Sequence, residues 1–480
     1  MVERIKQLEQ LSSPINPGAE ERKELLNKVL EYSENFLNNI NTLPAYVMTE
    51  DKGKGIYDYP FTPEGAAIDD VLKILKENVD TPGLNPASGG HLGYIPGGGI
   101  FHSALGDYLA DITNRYAGVF FASPGAVRME NMLTNWMADI VGYPRTAGGN
   151  LTSGGSIANL TGIVTARDAK GIKGKDVEKT VVYLSEQAHH SVDKALRISG
   201  LAECVLRYIP LDDNYRMIAG ELEKQIKEDI KKGLNPWCVI TAAGTTNTGS
   251  VDPIEEICQI ACKHNLWVHV DGAYGGFFIL SETGRQILKG LDKSDSIVMD
   301  PHKGLFLPYG TGAVLVKDKM SMLKSHYYEA DYMQDSLDSK NELAPADLSP
   351  ELSKHFRGLR LWLPLKLAGV RAFEAALEEK IQLARYFYER MSSVKGFEMG
   401  PYPDLSVVTY RFIPEKGDAD TFNKQLVNEI QKEGKTFISS TMLNGKFTLR
   451  LAVLAFRTHV ETIDTLINSL IEKSGMISNQ

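Results

Sequence analysis

Cysteine is scarce in this chain: four in 480 residues, too few for a disulfide framework. Cys258 and Cys262, four apart on one helical face, read as small buried apolar residues. No apolar run is long enough to span a bilayer, so no membrane partner is expected. The first residues, Met1–Lys6, are polar and helical in pattern, and no signal peptide is expected. A soluble, reducing, cytoplasmic setting is the resulting expectation. Basic surplus is also lacking. Lys and Arg total 52 against 61 Asp and Glu, a net charge of −9, which argues against a nucleic-acid partner. Internal repeats and low-complexity segments are missing too.

At 480 residues the chain can bury a large core and is expected to divide into lobes. Residues 1–85 carry helical patterns broken by Pro14, Pro17 and the Pro60–Pro63 turn, with little core of their own. This segment is expected to pack on the surface of a partner. Over 86–355, strands alternate with helices, the pattern of a mainly parallel sheet wrapped by helices. The strand candidates are Thr180–Leu184, Glu203–Ile209, Cys238–Ala242, Leu266–Val270, Ser296–Met299 and Gly312–Val316. Ser336–Pro350 reads as a loop, and Ser353–Val394 as a long helical stretch. Residues 356–480 form a small α+β domain, in which Asn444-Gly445 turns strand Phe437–Leu443 into Phe447–Ala452.

Chemistry concentrates where these strands end. Ser296–Gly304 (SIVMDPHKG) stops an apolar run at a polar turn and delivers Lys303 to a cleft. Upstream, Leu266–Gly276 is a second buried strand with Asp271 at its end. A lysine and an aspartate at successive strand ends suit pyridoxal 5′-phosphate (PLP): the lysine forms a Schiff base, and the carboxylate holds the pyridinium nitrogen protonated. A phosphate needs backbone donors and a helix start, and Leu151–Leu160 (LTSGGSIANL) offers both, with Ser156 as the expected N-cap. Ala243–Ser250 places hydroxyls at another strand end. After Thr180–Leu184 comes the pair His189 and His190. One of them could lie flat on an aromatic ring, or the two could bind metal. Adjacent histidines seldom converge on one ion and no acidic or cysteine partner sits at ligand spacing, so no metal is expected.

The ordered set TSGGS, SEQAHHSV, AGTTNTGSVDP, WVHVDGAYGG and DPHKG resembles the group II PLP-dependent amino-acid decarboxylases, and most of all their aromatic-L-amino-acid (tryptophan and tyrosine) branch. The resemblance runs from about Gly93 to about Arg457. It implies an α/β protein of the PLP-dependent transferase fold type I (aspartate aminotransferase-like). It also implies roles by position. Lys303 matches the Schiff-base lysine, Asp271 the ring-nitrogen partner, Ala273 a residue under the ring and His189 the stacking histidine. Gly155, Ser156 and His302 match phosphate contacts, and Thr246 a cofactor-pocket threonine. Tyr332 matches a mobile-loop tyrosine that protonates the intermediate. Two departures stand out. Gly304-Leu305-Phe306 replaces the aromatic residue that often follows the lysine. Asp300 stands where animal members tend to carry asparagine, and as a carboxylate it is given no phosphate role.

By the same resemblance, Tyr94, Pro96, Tyr116, Gly118 and Phe120 line the side-chain pocket, where aromatic walls favour a flat substrate and Gly118 leaves room for an indole. Arg115 is the counter-clue, since a pocket arginine suits an acidic side chain such as glutamate. The expected activity is decarboxylation of an L-amino acid, aromatic by preference, to the amine and carbon dioxide, by a homodimer with its active site at the subunit interface. The alternatives are a glutamate or other amino-acid decarboxylase, an aromatic aldehyde synthase or other PLP carbon–carbon lyase, and a non-catalytic PLP-binding protein.

Overall fold

The computed structural model describes residues 1–95, 97–327 and 342–478. Its thirteen strands are β1 Tyr46–Val47, β2 Gly83–Leu84, β3 Gly148–Thr152, β4 Thr180–Leu184, β5 Val205–Tyr208, β6 Asn235–Ala242, β7 Trp267–Asp271, β8 Ser296–Met299, β9 Gly312–Val316, β10 Phe397–Met399, β11 Val407–Phe412, β12 Ser439–Leu443 and β13 Lys446–Ala452. Seven of them form one sheet in the order β3-β9-β8-β7-β6-β4-β5. The contacts among β5, β4, β6, β7 and β8 are parallel, whereas β9 runs antiparallel to both β8 and β3. Strands β4, β8 and β9 are buried along their whole length, as expected of a sheet covered on both faces by helices.

The covering helices owe their faces to apolar spacing. Helix Ala219–Lys231 buries Ala219, Leu222, Ile226 and Asp229 and turns its lysines and glutamates outward. Asp229 is buried as a paired charge, held by Arg207 Nη2 at 2.9 Å. The expected long stretch Ser353–Val394 is two helices, Arg357–Ala368 and Val370–Ser392, separated at Gly369, whose φ of +75° suits glycine.

The C-terminal part is a separate antiparallel sheet, β10-β11-β13-β12, with helices Ala419–Glu433 and Val460–Ser478 sharing its core. The Asn444-Gly445 turn is as expected, with both residues at positive φ, +50° and +74°. At the other end of the chain, helices Val2–Ser12 and Ala19–Asn39 bury no residue. Leu26, Val29 and Leu30 are among the exposed apolar side chains there. Among the described residues no helix is long and apolar enough to cross a membrane.

This topology positions the site. Strands β4, β6, β7 and β8 run the same way, so the segments that follow them emerge along one sheet edge. Those segments carry His189, Thr246, Asp271 and Lys303.

Candidate active site

A cavity of about 720 Å³ opens at that edge. This is room for a cofactor and a small substrate together. Lys303, Asp271, Ala273, His189, Gly155, Ser156, Thr246, His302 and Tyr94 all line it. Tyr116, Gly118, Phe120 and Arg115 do not. Phe120 lies beneath the Arg128 guanidinium, 5.1 Å from its ring centroid, and Arg115 is exposed. A Cβ on Gly118 would meet the Leu352 carbonyl at 2.4 Å, so within this chain the glycine answers a close backbone approach and does not make room for an indole. Pro96 and Tyr332 lie outside the described residues.

Lys303 sits in a single helical turn, Pro301–Gly304, directly after β8. The residue after it is glycine because a Cβ there would meet Phe277 Cβ at 2.6 Å. The aromatic volume falls instead at Phe306, which is buried and stacks on Phe373 at 6.4 Å. Asp300 is 1 % exposed and turned inward. Its Oδ2 lies 3.1 Å from Lys303 Nζ and accepts the Gly155 N–H at 3.1 Å. The Gly155 amide that the sequence assigned to a phosphate is thus taken up by Asp300. Asp300 Oδ1 has no partner among the described residues.

Helix Gly155–Ala169 starts at the cavity wall, and its N-cap is Gly154, two residues earlier than the expected Ser156. Ser156 is left exposed on the cavity side with its hydroxyl uncommitted to capping. The approach is tight: a Cβ on Gly312 would meet Gly154 Cα at 2.6 Å. His302 donates from Nδ1 to the Thr311 carbonyl at 2.6 Å, and burial lowers its pKa. Arg360 braces the same loop through the Tyr309 carbonyl and Thr311 Oγ1, at 2.8 and 3.0 Å, while its Nε engages both Asp107 oxygens at 2.7 Å.

Asp271 ends β7, and its two oxygens have separate partners. Oδ1 accepts from Ala273 N and Oδ2 from Asn159 Nδ2, both at 3.2 Å. His189 is the N-cap of helix His190–Ile198, its Nδ1 accepting from Ser191 N at 3.2 Å. Burial lowers its pKa, and the Asp271 carboxylate works against that shift. Among the described residues no cluster of three or more His, Cys, Asp or Glu could hold a metal. Cys258 is buried as expected, but Cys262 is exposed, on the helix's last turn.

Among the wall residues not singled out from sequence are Asn159, Asp300 as a partner of Lys303, Tyr309 and Arg450. Arg450 had a readable signal, an arginine inside the apolar strand LRLA. It is 5 % exposed and donates through Nη1 to the Gly93 carbonyl at 2.8 Å and to Ser439 Oγ at 2.9 Å. Burial lowers its pKa to about 10.

The residues present fit PLP. A lysine amine, a carboxylate with a free approach from the cavity, a flat imidazole and a glycine-lined helix start line one space of the right size. Comparison with known proteins agrees. The pyridoxal-dependent decarboxylase conserved domain matches residues 59–413. An aromatic-L-amino-acid decarboxylase of Bacillus atrophaeus is 34% identical over 457 residues, which cover 94% of this chain and 95% of that protein. A phenylacetaldehyde synthase of Petunia hybrida is 30% identical, with 88% and 87% covered. Among solved structures, Oryza sativa TDC with PLP and tryptamine superposes with a TM-score of 0.90 at 25% identity, covering 96% of this chain and 99% of that one.

Proposed function

The chain belongs to the pyridoxal-dependent decarboxylase family, and from that premise we propose that its substrate is an aromatic L-amino acid, released as the amine and carbon dioxide. Its cofactor is PLP, and its reaction is amino-acid decarboxylation. The observation that carries the finer reading is the aromatic wall at the cavity mouth. Tyr94 is 52% exposed there, with Phe437 at 5.7 Å and His91 at 6.0 Å behind it. Tyr309 lines the same cavity. Rings held in this way offer apolar area and edge or face contacts to a flat side chain.

The chain's own residues then divide the work. PLP, when bound, supplies the electron sink into which the breaking bond to the carboxylate releases its pair. Lys303 would hold the cofactor through its amine. Asp271 places negative charge where the ring nitrogen carries positive charge. Asp300 receives the Lys303 ammonium, giving the displaced amine a fixed place. Arg450 is a buried cation in the wall and favours an anionic group beside it. Tyr332 is proposed on family resemblance as the acid that returns a proton to Cα while a closed site keeps water out.

The working unit is proposed to be a homodimer. The unburied N-terminal helices then gain a surface to cover, and Tyr116 and Phe120, which do not line this chain's cavity, would meet a substrate only from a second copy. The direct test of the substrate class is Tyr94→Ala. It should raise KM for aromatic substrates at least tenfold and leave kcat within a few-fold, because truncating the ring removes binding area away from the reacting carbon. An unchanged KM would remove Tyr94 from the pocket and with it the main support for an aromatic substrate.

A further inference from the structure

Behind the cavity wall lies a closed chain of buried polar groups. Trp267 Nε1 is 2.8 Å from Ser296 Oγ, which is 2.7 Å from His269 Nδ1. His269 Nε2 is 2.9 Å from Asn159 Oδ1. Asn159 Nδ2 reaches Asp271 Oδ2 at 3.2 Å and Ser191 Oγ at 3.0 Å, and Ser191 Oγ is 2.8 Å from His189 Nδ1. Ser296, His269, Asn159 and Ser191 are each at most 3 % exposed.

We propose that Asn159 is a positioning residue that ties Asp271 to His189, and that the proton order of this chain commits His189 to carry its hydrogen on Nε2. The order follows from groups whose roles are fixed. An indole N–H only donates, so Ser296 Oγ accepts from Trp267 and its own hydrogen is free for His269 Nδ1. His269 then carries its hydrogen on Nε2 and donates to Asn159 Oδ1. That leaves the Asn159 amide hydrogens for Asp271 and Ser191. The far end requires the same arrangement independently, since a carboxylate only accepts and Asp271 must face the NH₂ side of Asn159. Ser191 Oγ, already accepting, directs its hydrogen to His189 Nδ1. The Ser191 backbone N–H also points at Nδ1, so that nitrogen is an acceptor and Nε2 bears the hydrogen. Burial favours the neutral form of both rings.

One glycine supports the reading. Gly162 sits in the middle of helix Gly155–Ala169, where glycine costs about 1 kcal/mol against alanine. A Cβ there would meet His269 Cε1 at 2.6 Å, so the helix accepts that cost to admit the imidazole.

The proposal rests on Asp271 and His189 facing the cofactor, but it can be read without activity. In holoprotein labelled with ¹⁵N-histidine, ring-nitrogen spectra assigned with His189→Gln and His269→Gln should show both rings neutral, with unprotonated Nδ1 and protonated Nε2. Ser296→Ala and Ser296→Thr should both leave the hydrogen of His269 on Nε2, because Asn159 Oδ1 still requires a donor there. Asn159→Leu, which keeps the branching but removes both polar atoms, should lose cofactor absorbance at least tenfold faster on dilution. A hydrogen on Nδ1 of either ring, or wild-type cofactor retention in Asn159→Leu, overturns the proposal. Should Asn159→Leu not fold, the wild-type spectrum and the Ser296 pair decide. A protein with these tautomers that releases no carbon dioxide would refute the proposed activity and leave this inference standing.

Discussion

The role proposed for Asp271 asks for negative charge and not only for an acceptor. Asp271→Asn keeps the shape but not the charge, and should lower kcat by about 10²–10³, the usual loss for one preorganised electrostatic group. Cofactor retention should fall far less, because the phosphate end and Lys303 still hold it; a variant with near-normal turnover would contradict the assignment. Gly312→Ala tests the packing of the helix start. Its Cβ would press on Gly154 at 2.6 Å, so it should destabilise by about 1–3 kcal/mol and weaken cofactor retention in titrations followed by absorbance. Lys303 and Asp271 were legible in the sequence because each ends an apolar strand. Asn159 was not, since an asparagine on a helix announces a partner only when the facing strand is known. Asp300 was given no phosphate role. Its engagement of Lys303 and Gly155 depends on backbone directions that the sequence does not give.

Among the elements, strands rich in Val and Ile were readable to within a residue or two, as with β4, β8 and β9. Strand β3 was missed because its residues, GGNLT, have little β propensity. It is a strand because β9 pairs with it across five residues. The short β10 was missed for a similar reason: three residues carry no periodicity. Near β12, His91 is 1 % exposed and stacked on Phe437 at 5.8 Å, with neither ring nitrogen partnered among the described residues. Burial lowers its pKa from 6.5 to about 4. The unfolded chain therefore binds this proton more readily between those values, so stability is retained above pH 6.5 and falls as the pH drops towards 4. The loss amounts to about 3 kcal/mol for this one ring. His91→Leu should flatten the fall of unfolding free energy across that window by about one proton; an unchanged slope would mean that His91 is already charged in the fold.

For the whole molecule, a second copy is the expected cover for the N-terminal helices. Sedimentation should give a dimer of the 480-residue chain, and charges placed at Val29 and Leu30, 43% and 54% exposed, should shift it towards monomer with loss of activity. An active monomer would refute the shared site. The α/β class and the separate C-terminal sheet were legible from the alternation of strands and helices. The partner-facing role proposed for the first 85 residues rests on two helices that bury no residue. The substrate ties these scales together, and a screen of L-amino acids for carbon dioxide release by the purified holoprotein measures it directly. The account predicts amine and carbon dioxide from tryptophan, tyrosine or phenylalanine, with kcat/KM at least tenfold above that for glutamate. A preference for an acidic or aliphatic amino acid would contradict it.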